Sequence, residues 1–278
     1  MVVVLAAGLG SRFGGVKQLT PVGPAGDVIL DYTARDAMAA GFETIVVVTR
    51  SELEGRLAER VGRWPEGIRP ILVCQDRDLM ATDAAAAGRT KPLGTVHAAL
   101  SGMEQAPGCP AVVVNADDFY GTEPFRLLAR HLHEPSPDVA LVTFPVAGTV
   151  ISSDPVTRAL CDVDPSGALR SIEEGTVSDG SWVGRSGRRV ELEGHEPVSM
   201  NCWGFPGGLA HAMREVTERF VTSNRVATED EVLLPDLVRA QLTEGVRVAA
   251  LPGRGRCVGL THPGDVDLVR PCFTEPAW

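Results

Sequence analysis

The sequence predicts an α/β fold in which helices cover both faces of a mostly parallel sheet. Over the first half of the chain, short runs rich in β-branched residues alternate with segments whose apolar residues recur at helical spacing. The strand-like runs are continuously apolar, as strands are when both of their faces are buried. Alternation of this kind is typical of crossover units, which build three-layer proteins around a parallel sheet.

The predicted elements follow one another without repeats or low-complexity linkers. A strand at the N-terminus leads into a glycine-rich loop. Gly41 and Gly245 follow two predicted helices, and glycine is favoured just beyond a helix end. In chain order, we predict helices over residues 29–40, 52–61, 96–104, 123–133, 208–221 and 229–244, and strands over residues 44–49, 70–74, 111–115, 139–144, 198–205 and 246–251.

The pattern changes between residues 149 and 194. Residues 158–164 and 168–174 flank Pro165-Ser166-Gly167 and predict a hairpin, because these three residue types favour tight turns. Residues 178–189 are rich in glycine and serine and predict a mobile loop.

Composition limits the class of protein. A chain of 278 residues, 44% hydrophobic and 22% charged, is typical of a globular protein, and its length allows one large domain or two small ones. The net charge of −10 argues against a general surface for nucleic acids or anionic membranes, so we expect neither as a partner. An anionic substrate would then need a local cluster of cations.

The cysteines and the apolar segments indicate a cytoplasmic protein. None of the six cysteines forms a Cys-x-x-Cys pair, which argues against structural zinc, and their scattered positions suit reduced thiols. The N-terminal apolar run is too short for a signal peptide. No apolar stretch approaches the about 18 residues needed to span a membrane.

The loop after the first strand carries the first chemical motif. Gly8 and Gly10 allow the backbone to approach a ligand closely, and successive free N–H groups form a concave site for phosphate oxygens. Arg12 and Lys17 would add charge-assisted hydrogen bonds to the same anion. The pattern favours a nucleoside triphosphate site, and an ordinary strand-to-helix turn is the alternative.

Two common phosphate-binding loops are excluded by spacing. A dinucleotide-binding loop needs a third glycine where this chain has Phe13. A Walker A loop needs Gly-Lys-Ser/Thr, whereas Lys17 stands between Val16 and Gln18.

The segment Leu5-Ala6-Ala7-Gly8-Leu9-Gly10-Ser11-Arg12, with Lys17-Gln18-Leu19-Thr20-Pro21, resembles the signature of the sugar-1-phosphate nucleotidylyltransferases (NDP-sugar pyrophosphorylases). Members of that family have Leu-Ala-Gly/Ala-Gly-x-Gly-Ser/Thr-Arg and then Lys-x-Leu-x-Pro, often with a longer gap. The resemblance implies a three-layer, mostly parallel Rossmann-like sheet of the nucleotide-diphospho-sugar transferase type, here without a C-terminal β-helix. It implies that the nucleotide is bound by Leu5, Ala6, Ala7, Gly8, Gly10 and Ser11.

A second block, Lys91-Pro92-Leu93-Gly94-Thr95-Val96-His97-Ala98, resembles the family segment that contacts the nucleotide base. Gly94 lets the backbone approach a flat ring, and Thr95 offers an N-cap hydroxyl. Pro92, Gly94 and Thr95 are therefore predicted to bind the nucleotide, with a simple capped turn as the alternative. Gln75 could contact the base from a strand end, or be an ordinary polar residue there.

Asp117 is the predicted metal ligand. It follows the apolar run 111–115 and matches the family's metal aspartate, and Mg²⁺ is typically held by one or two carboxylates with phosphate oxygens and water. Asp118 could hold a metal-bound water. The alternative is that both carboxylates cap the helix that follows.

The acceptor half departs from the family pattern at two positions. Glu174, in Glu173-Glu174, and Asn201 match residues that contact the sugar, but Gly175 stands where the family usually has a lysine near the acceptor phosphate. Gly259 stands where many members have a second metal-binding aspartate. Asp265 could replace that aspartate, although we expect it to be a surface residue.

These observations lead to one hypothesis and two alternatives. The hypothesis is Mg²⁺-dependent nucleotidyl transfer from an NTP to a sugar-1-phosphate, in nucleotide-sugar biosynthesis, with Arg12, Lys17 and Asp117 as catalytic residues. The family resemblance implies a single domain over residues 1–278, in which residues 1–148 bind the nucleotide and residues 149–278 the acceptor, and it makes a homo-oligomer possible. The alternatives are a transferase with another acceptor, such as phosphocholine or a phosphonate, and a catalytically silent nucleotide- or sugar-nucleotide-binding regulator. The sequence does not identify the base.

Overall fold

The computed structural model describes residues 1–8, 10, 13–135, 137–223, 225–226 and 230–278. Its strands are β1 Val2–Leu5, β2 Thr44–Thr49, β3 Arg69–Cys74, β4 Ala111–Asn115, β5 Asp118–Phe119, β6 Val139–Pro145, β7 Val156–Val163, β8 Leu169–Ser178, β9 Ser181–Gly184, β10 Arg189–Glu191, β11 Pro197–Phe205, β12 Val248–Pro252 and β13 Val258–Gly259. Its α-helices are α1 Ile29–Ala39, α2 Ser51–Val61, α3 Leu79–Ala86, α4 Thr95–Met103, α5 Thr122–Leu132, α6 Leu209–Val221, α7 Leu234–Thr243 and α8 Asp265–Val269.

Eleven of these strands form one sheet with two kinds of pairing. Strands β3, β2, β1 and β4 lie side by side in parallel, so their carboxyl ends meet at one edge. Strand β11 pairs antiparallel with β4, and the sheet continues through β7, β8, β9 and β10. Strand β6 pairs with β11 and, in parallel, with β12. The predicted α/β fold is confirmed, with antiparallel strands extending the sheet in the C-terminal half.

Strand β1 shows why the strand-like runs are continuously apolar. Val2 and Val4 pack in a core cluster with α1, α2 and α5, whereas Val3 and Leu5 pack in a second cluster with α4, α6 and α7. All four side chains are buried. Helices therefore cover both faces of the sheet, which gives the predicted three layers.

The parallel register positions the loops that follow the strands. Leu5, the last residue of β1, pairs with Val48 on one side and with Asn115, the last residue of β4, on the other. The chain therefore leaves β1 and β4 side by side at the same edge of the sheet. In open sheets of this kind, ligands bind outside the carboxyl ends of the strands.

The prediction of a mobile loop over residues 178–189 is wrong, because this segment contains β9 and the first residue of β10. Trp182 is fully buried, and its indole N–H donates to the Arg158 carbonyl at 3.0 Å. Burial of this one large side chain outweighs the glycine and serine content around it.

The predictions also failed for the helices α7 and α3, and they missed the short helix α8. Helix α7 begins at Leu234 rather than at residue 229, because Leu233 is extended and Pro235 lies in the first turn, where proline favours a helix start. Glu229 itself lies outside the described residues. Helix α3 was not predicted, because its alanine-rich sequence buries only Ala84 and so shows no apolar period. The other predicted elements are present, with ends that differ by a few residues.

All six cysteines are free thiols. In the part of the chain that the structure describes, no helix combines the length and the apolar character needed to cross a membrane.

Gly102 in α4 lies directly on the sheet, and its replacement tests this packing. A Cβ there would lie 2.3 Å from Val3 Cγ1, whereas a Cβ at Gly55 in α2 would meet no atom within 4 Å. We expect Gly55→Ala to raise the free energy of unfolding by about 0.5–1 kcal/mol through helix propensity. Gly102→Ala should lower it, because overpacking costs about 1–3 kcal/mol. Urea unfolding measures both, and equal stabilisation by both alanines would contradict the packing described.

Candidate active site

A cavity of about 610 Å³ lies at the carboxyl edge of the parallel strands, between the two halves of the chain. It brings together residues that the sequence places far apart. Of the predicted site residues, those that line it are Leu5, Ala7, Gly8, Gly10, Lys17, Gln75, Pro92, Gly94, Thr95, Asp117, Glu174 and Asn201.

Three predicted residues are not among them. Ala6 is fully buried in the core, and its backbone N–H donates to the Val48 carbonyl at 2.7 Å, so its side chain lies away from the cavity. Ser11 and Arg12 lie outside the described residues, and their assigned roles stay predictions.

Lys17 and Asp117 form an ion pair across 100 positions of sequence. Lys17 begins a single 3₁₀ turn, Lys17–Leu19, and the neighbouring Gln18 side chain donates to the Gly8 carbonyl at 2.9 Å. This hydrogen bond ties the turn to the glycine loop. The two charged side chains are 20% and 18% exposed, so either can exchange its partner for a ligand in the cavity.

The distribution of lysine in this protein is uneven. The chain contains two lysines, Lys17 and Lys91, and both line this cavity, whereas all its other basic side chains are arginine or histidine. Lysine carries a compact charge on a flexible stem, which suits a cation that must follow a moving phosphate.

Asp118 is a buried acid beside Asp117. Its carboxylate accepts a hydrogen bond from the Asn115 side chain at 2.8 Å, and burial raises its pKa to about 6, with a further contribution from the Asp117 charge. Strand β5 pairs with β13 so that Asp118 lies opposite Gly259. A Cβ at Gly259 would lie 1.9 Å from Asp118 Oδ1. The glycine found where an aspartate was expected therefore makes room for the Asp118 carboxylate.

The prediction that Asp265 lies on the surface is wrong. Its side chain is buried, and one carboxylate oxygen accepts from the backbone N–H groups of Thr261 and His262, at 2.6 and 2.7 Å. These two hydrogen bonds compensate the buried carboxylate and stabilise the turn before α8.

The segment predicted to contact the base is held by α7 and the residues before it. Gly94 has φ +115°, and a Cβ there would lie 2.4 Å from the Val232 carbonyl oxygen, so only glycine fits. The Thr95 hydroxyl does not cap its own helix as predicted, because it accepts from the Leu234 N–H at the start of α7, at 2.9 Å. Gln75 is buried at the cavity wall, and its Oε1 has no hydrogen-bond partner among the described residues.

His97 in the same segment is not a wall of this cavity. Its ring is buried, and Nε2 lies 2.5 Å from Asp78 Oδ2.

On the acceptor side, Asn201 sits at an irregularity in β11. The pairing of β11 with β6 shifts between Ser199 and Trp203, and Asn201 has φ +57°, a conformation that asparagine tolerates better than most residues. Its Oδ1 accepts from the Trp203 indole at 3.1 Å. The bulge places the Asn201 side chain at the cavity.

Glu174 forms an ion pair with Arg185, and burial raises the pKa of Glu174. Its neighbour Gly175 has no room for a side chain, because a Cβ would lie 2.4 Å from the Val183 carbonyl oxygen and 2.5 Å from the Trp182 ring. Trp182 therefore explains why the lysine expected after Glu174 is absent.

Arg158 also lines the cavity and was not identified from the sequence. It lies on β7 directly opposite Gly175, and its guanidinium donates to the Thr149 hydroxyl at 3.0 Å, to the Thr149 carbonyl, and to the Thr157 carbonyl at 2.7 Å. Burial lowers its pKa, and the nearby Asp118 carboxylate opposes that shift. Only the register of β7 and β8, which no local motif shows, would have revealed it.

A tyrosine links the two sides of the cavity. The buried Tyr120 hydroxyl donates to the Met200 carbonyl at 2.7 Å and accepts from the Asn115 N–H at 3.1 Å. It thereby holds the end of β4, which precedes Asp117, against the residue before Asn201.

The raised pKa of Asp118 leads to a prediction about how the free energy of unfolding depends on pH. Folding raises the pKa of Asp118 from the ordinary 3.8 to about 6 and so favours the protonated acid, which means that ionisation costs stability as pH rises through 6. The free energy of unfolding of Asp118→Asn should therefore rise by about 1–3 kcal/mol relative to that of the wild type as the pH increases from 4 to 8. Urea unfolding with EDTA present measures this gain. The exposed Asp267→Asn is the control, and an equal pH dependence in both variants would contradict the assignment.

Comparison with known proteins identifies the family. A family model for the MobA-like NTP transferase domain matches residues 2–160. A putative glucose-1-phosphate thymidylyltransferase from Bacillus anthracis, crystallised with sucrose, superposes with a TM-score of 0.70 at 14% identity, over 99% of this chain and 95% of that one. The inositol-1-phosphate CTP transferase from T. maritima gives 0.62 at 13% identity, over 95% and 90%. Curated protein sequences give no significant match.

At these identities the superpositions show the fold, and they agree with the resemblance found in the sequence. The family match covers more than half of the chain, including the glycine loop, the base-side segment and Asp117. The chain belongs to the MobA-like NTP transferase domain family and is a nucleotidyltransferase.

Proposed function

We propose that the protein transfers a nucleotidyl group from an NTP to a sugar-1-phosphate, with Mg²⁺, releasing pyrophosphate and an NDP-sugar. The observation that carries the proposal is the position of the Lys17–Asp117 pair. It lines one cavity together with the glycine loop on the nucleotide side and with Glu174 and Asn201 on the acceptor side.

The nucleotide side supplies backbone donors and a base site. Gly10 has φ +60°, which turns the loop towards the cavity, and Gly8 lines the same wall. Gln75 presents a buried amide whose oxygen has no hydrogen-bond partner within the described part of the chain, and Gly94 lines the same cavity. These features favour a bound base and a triphosphate, with Arg12 predicted to neutralise the pyrophosphate.

The chemistry requires little covalent help from the protein. An oxygen of the acceptor phosphate attacks the α-phosphorus of the NTP, and the bond from that phosphorus to the β-phosphate oxygen breaks. Lys17 would leave Asp117 and bind the phosphates as charge moves between them. The acceptor phosphate is already ionised, so no general base is needed, and positioning with charge neutralisation supplies the acceleration.

The residues present fit a magnesium ion that is held mainly by substrate. Asp117 and Asp118 both line the cavity, and the described residues contain no cluster of three or more acidic, histidine or cysteine side chains that could hold a metal alone. Mg²⁺ usually takes one or two carboxylates together with phosphate oxygens and water. When bound, it would neutralise phosphate charge and align the reacting groups.

The lining of the acceptor side favours a hydroxyl-bearing acceptor. Glu174, Glu231 and Asn201 offer oxygen atoms that accept hydrogen bonds from hydroxyl groups. Among the described lining residues, Phe13 is the single aromatic side chain, whereas a trimethylammonium group is usually bound by several aromatic faces. This weighs against phosphocholine as the acceptor.

The two observations that favoured a catalytically silent regulator have another explanation. Its support was the absence of a lysine at Gly175 and of an aspartate at Gly259. Both glycines have a steric cause, Trp182 in one case and Asp118 in the other. A cytoplasmic location and a homo-oligomer stay predictions.

The direct test is pyrophosphate release from each of the four common NTPs, paired with a panel of phosphorylated acceptors and Mg²⁺. We expect release with at least one sugar-1-phosphate. Release with phosphocholine or a phosphonate alone would establish the other acceptor class. Measurable NTP binding without release in any pair would establish the regulator.

Lys17→Ala should lower kcat/KM by roughly 10²–10³-fold, because it removes a preorganised charge at the reacting phosphates. Lys17→Arg, which keeps the charge but not its compact shape, is the matched variant and should recover part of the activity. Initial rates of pyrophosphate release measure both. An unchanged kcat/KM in Lys17→Ala would exclude Lys17 from the mechanism.

Asp117→Ala should abolish binding of the divalent cation together with turnover. Mn²⁺, observed by electron paramagnetic resonance with NTP present, is the metal probe. The control is Asp267→Ala, which removes an acid that is 81% exposed and should leave both properties intact. Full Mg²⁺-dependent turnover in Asp117→Ala would refute the metal assignment.

A further inference from the structure

An acceptor phosphate needs a cation on its own side of the cavity. Lys17 and Lys91 both come from the nucleotide half of the chain. Among the described lining residues of the acceptor half, Arg158 is the single basic side chain. Arg185 is also close, but it is 60% exposed, pairs with Glu174, and does not line the cavity.

The pairing of β7 with β8 leaves Arg158 without a side chain from the opposite strand, because the Trp182 ring occupies the space above that position. The cross-strand neighbour of Arg158 is Gly175, which has no side chain and cannot acquire one without displacing Trp182. The side chain directly opposite in an antiparallel pair is normally the nearest neighbour on that face. Here that neighbour is missing.

The guanidinium of Arg158 is held in place before any ligand binds. Its hydrogen bonds to Thr149 and Thr157 occupy three N–H groups, one on each nitrogen. A guanidinium has five N–H groups, so two more are available beyond these bonds. Because Thr149 is fully buried, this anchorage is rigid and little side-chain entropy is lost when an anion binds.

We propose that Arg158 binds the phosphate of the acceptor and selects phosphate monoesters whose hydroxyl groups face Glu174 and Asn201. The role of Arg158 in the reaction rests on the proposed function, whereas its binding of a phosphate ester can be tested separately. The two free donors match the paired oxygens of a phosphate, a geometry in which arginine binds more specifically than lysine.

A structural role is the alternative that the test must separate. Arg158 also balances the buried Asp118 carboxylate and ties β7 to the loop at Thr149. Loss of such a role would lower stability and affect both substrates alike. Loss of a residue that binds the acceptor phosphate would weaken binding of the acceptor and leave binding of the NTP unchanged.

The experiment compares Arg158→Gln with Arg170→Gln, an equal loss of charge at an exposed position of the neighbouring strand β8, outside the cavity lining. Calorimetry measures binding of glucose 1-phosphate, of inorganic phosphate and of the NTP, and pyrophosphate release gives KM for each substrate. We expect Arg158→Gln to raise the acceptor Kd and KM about 10–100-fold, the loss typical of a charge-assisted bond. The NTP values should stay within about twofold, as should every value in Arg170→Gln.

A double variant provides a second test in case Arg158→Gln does not fold. Arg158→Gln combined with Asp118→Asn removes the buried charge together with its counter-charge, which leaves neither unpaired. The double variant is compared with Asp118→Asn alone, so the difference between them reports Arg158.

The outcomes separate the two proposals. If the wild type transfers nucleotide but its acceptor KM does not change on loss of Arg158, or changes equally with that of the NTP, the role of Arg158 is refuted and the function stands. If the wild type transfers to no acceptor, yet binds phosphate esters through Arg158, the function is refuted and the subsite stands. If it neither transfers nor binds them, both are refuted.

Discussion

The parallel register of β1 and β4, with Leu5 opposite Asn115, is the constraint on which the site depends. It makes both strands end at one edge of the sheet, so the glycine loop and Asp117 leave the core side by side. The Lys17–Asp117 ion pair is a consequence of that register, since 100 residues of chain separate its members. The Tyr120 hydroxyl extends the same constraint to β11 and so to Asn201 on the acceptor side.

The two glycines that depart from the family pattern show how a missing side chain can depend on its neighbours. Trp182 fills the space beside Gly175, and Asp118 fills the space beside Gly259. In each case a larger residue would collide with a buried group that is itself held by hydrogen bonds. The absence of a motif residue is therefore a change in packing around the cavity, and on its own it does not indicate a lost activity.

The features that the sequence predicted well are local ones. The buried strands, the glycine loop and the segment at Gly94 each depend on neighbouring residues in the chain, so their patterns are visible without the fold. The features that it missed depend on contacts between distant segments. Arg158 reaches the cavity through the β7–β8 register, Thr95 caps a helix that begins 139 positions later, and Asp118 needs Gly259. Helix α3 failed for another reason, because a helix with little apolar burial has no period to detect.

The cation that the proposed reaction uses is paired with a carboxylate of the same cavity. Lys17 forms an ion pair with Asp117, and the charges of the buried Arg158 and Asp118 attract each other, although burial still raises the pKa of Asp118. A phosphate entering alone would draw a cation from its carboxylate and leave that carboxylate unpaired, which is unfavourable in a partly dehydrated site. A divalent cation entering with the phosphate removes this cost, because Asp117 gains a new partner as Lys17 is withdrawn. On the proposed function, the Lys17–Asp117 ion pair therefore favours binding of the nucleotide and the metal together over either one alone.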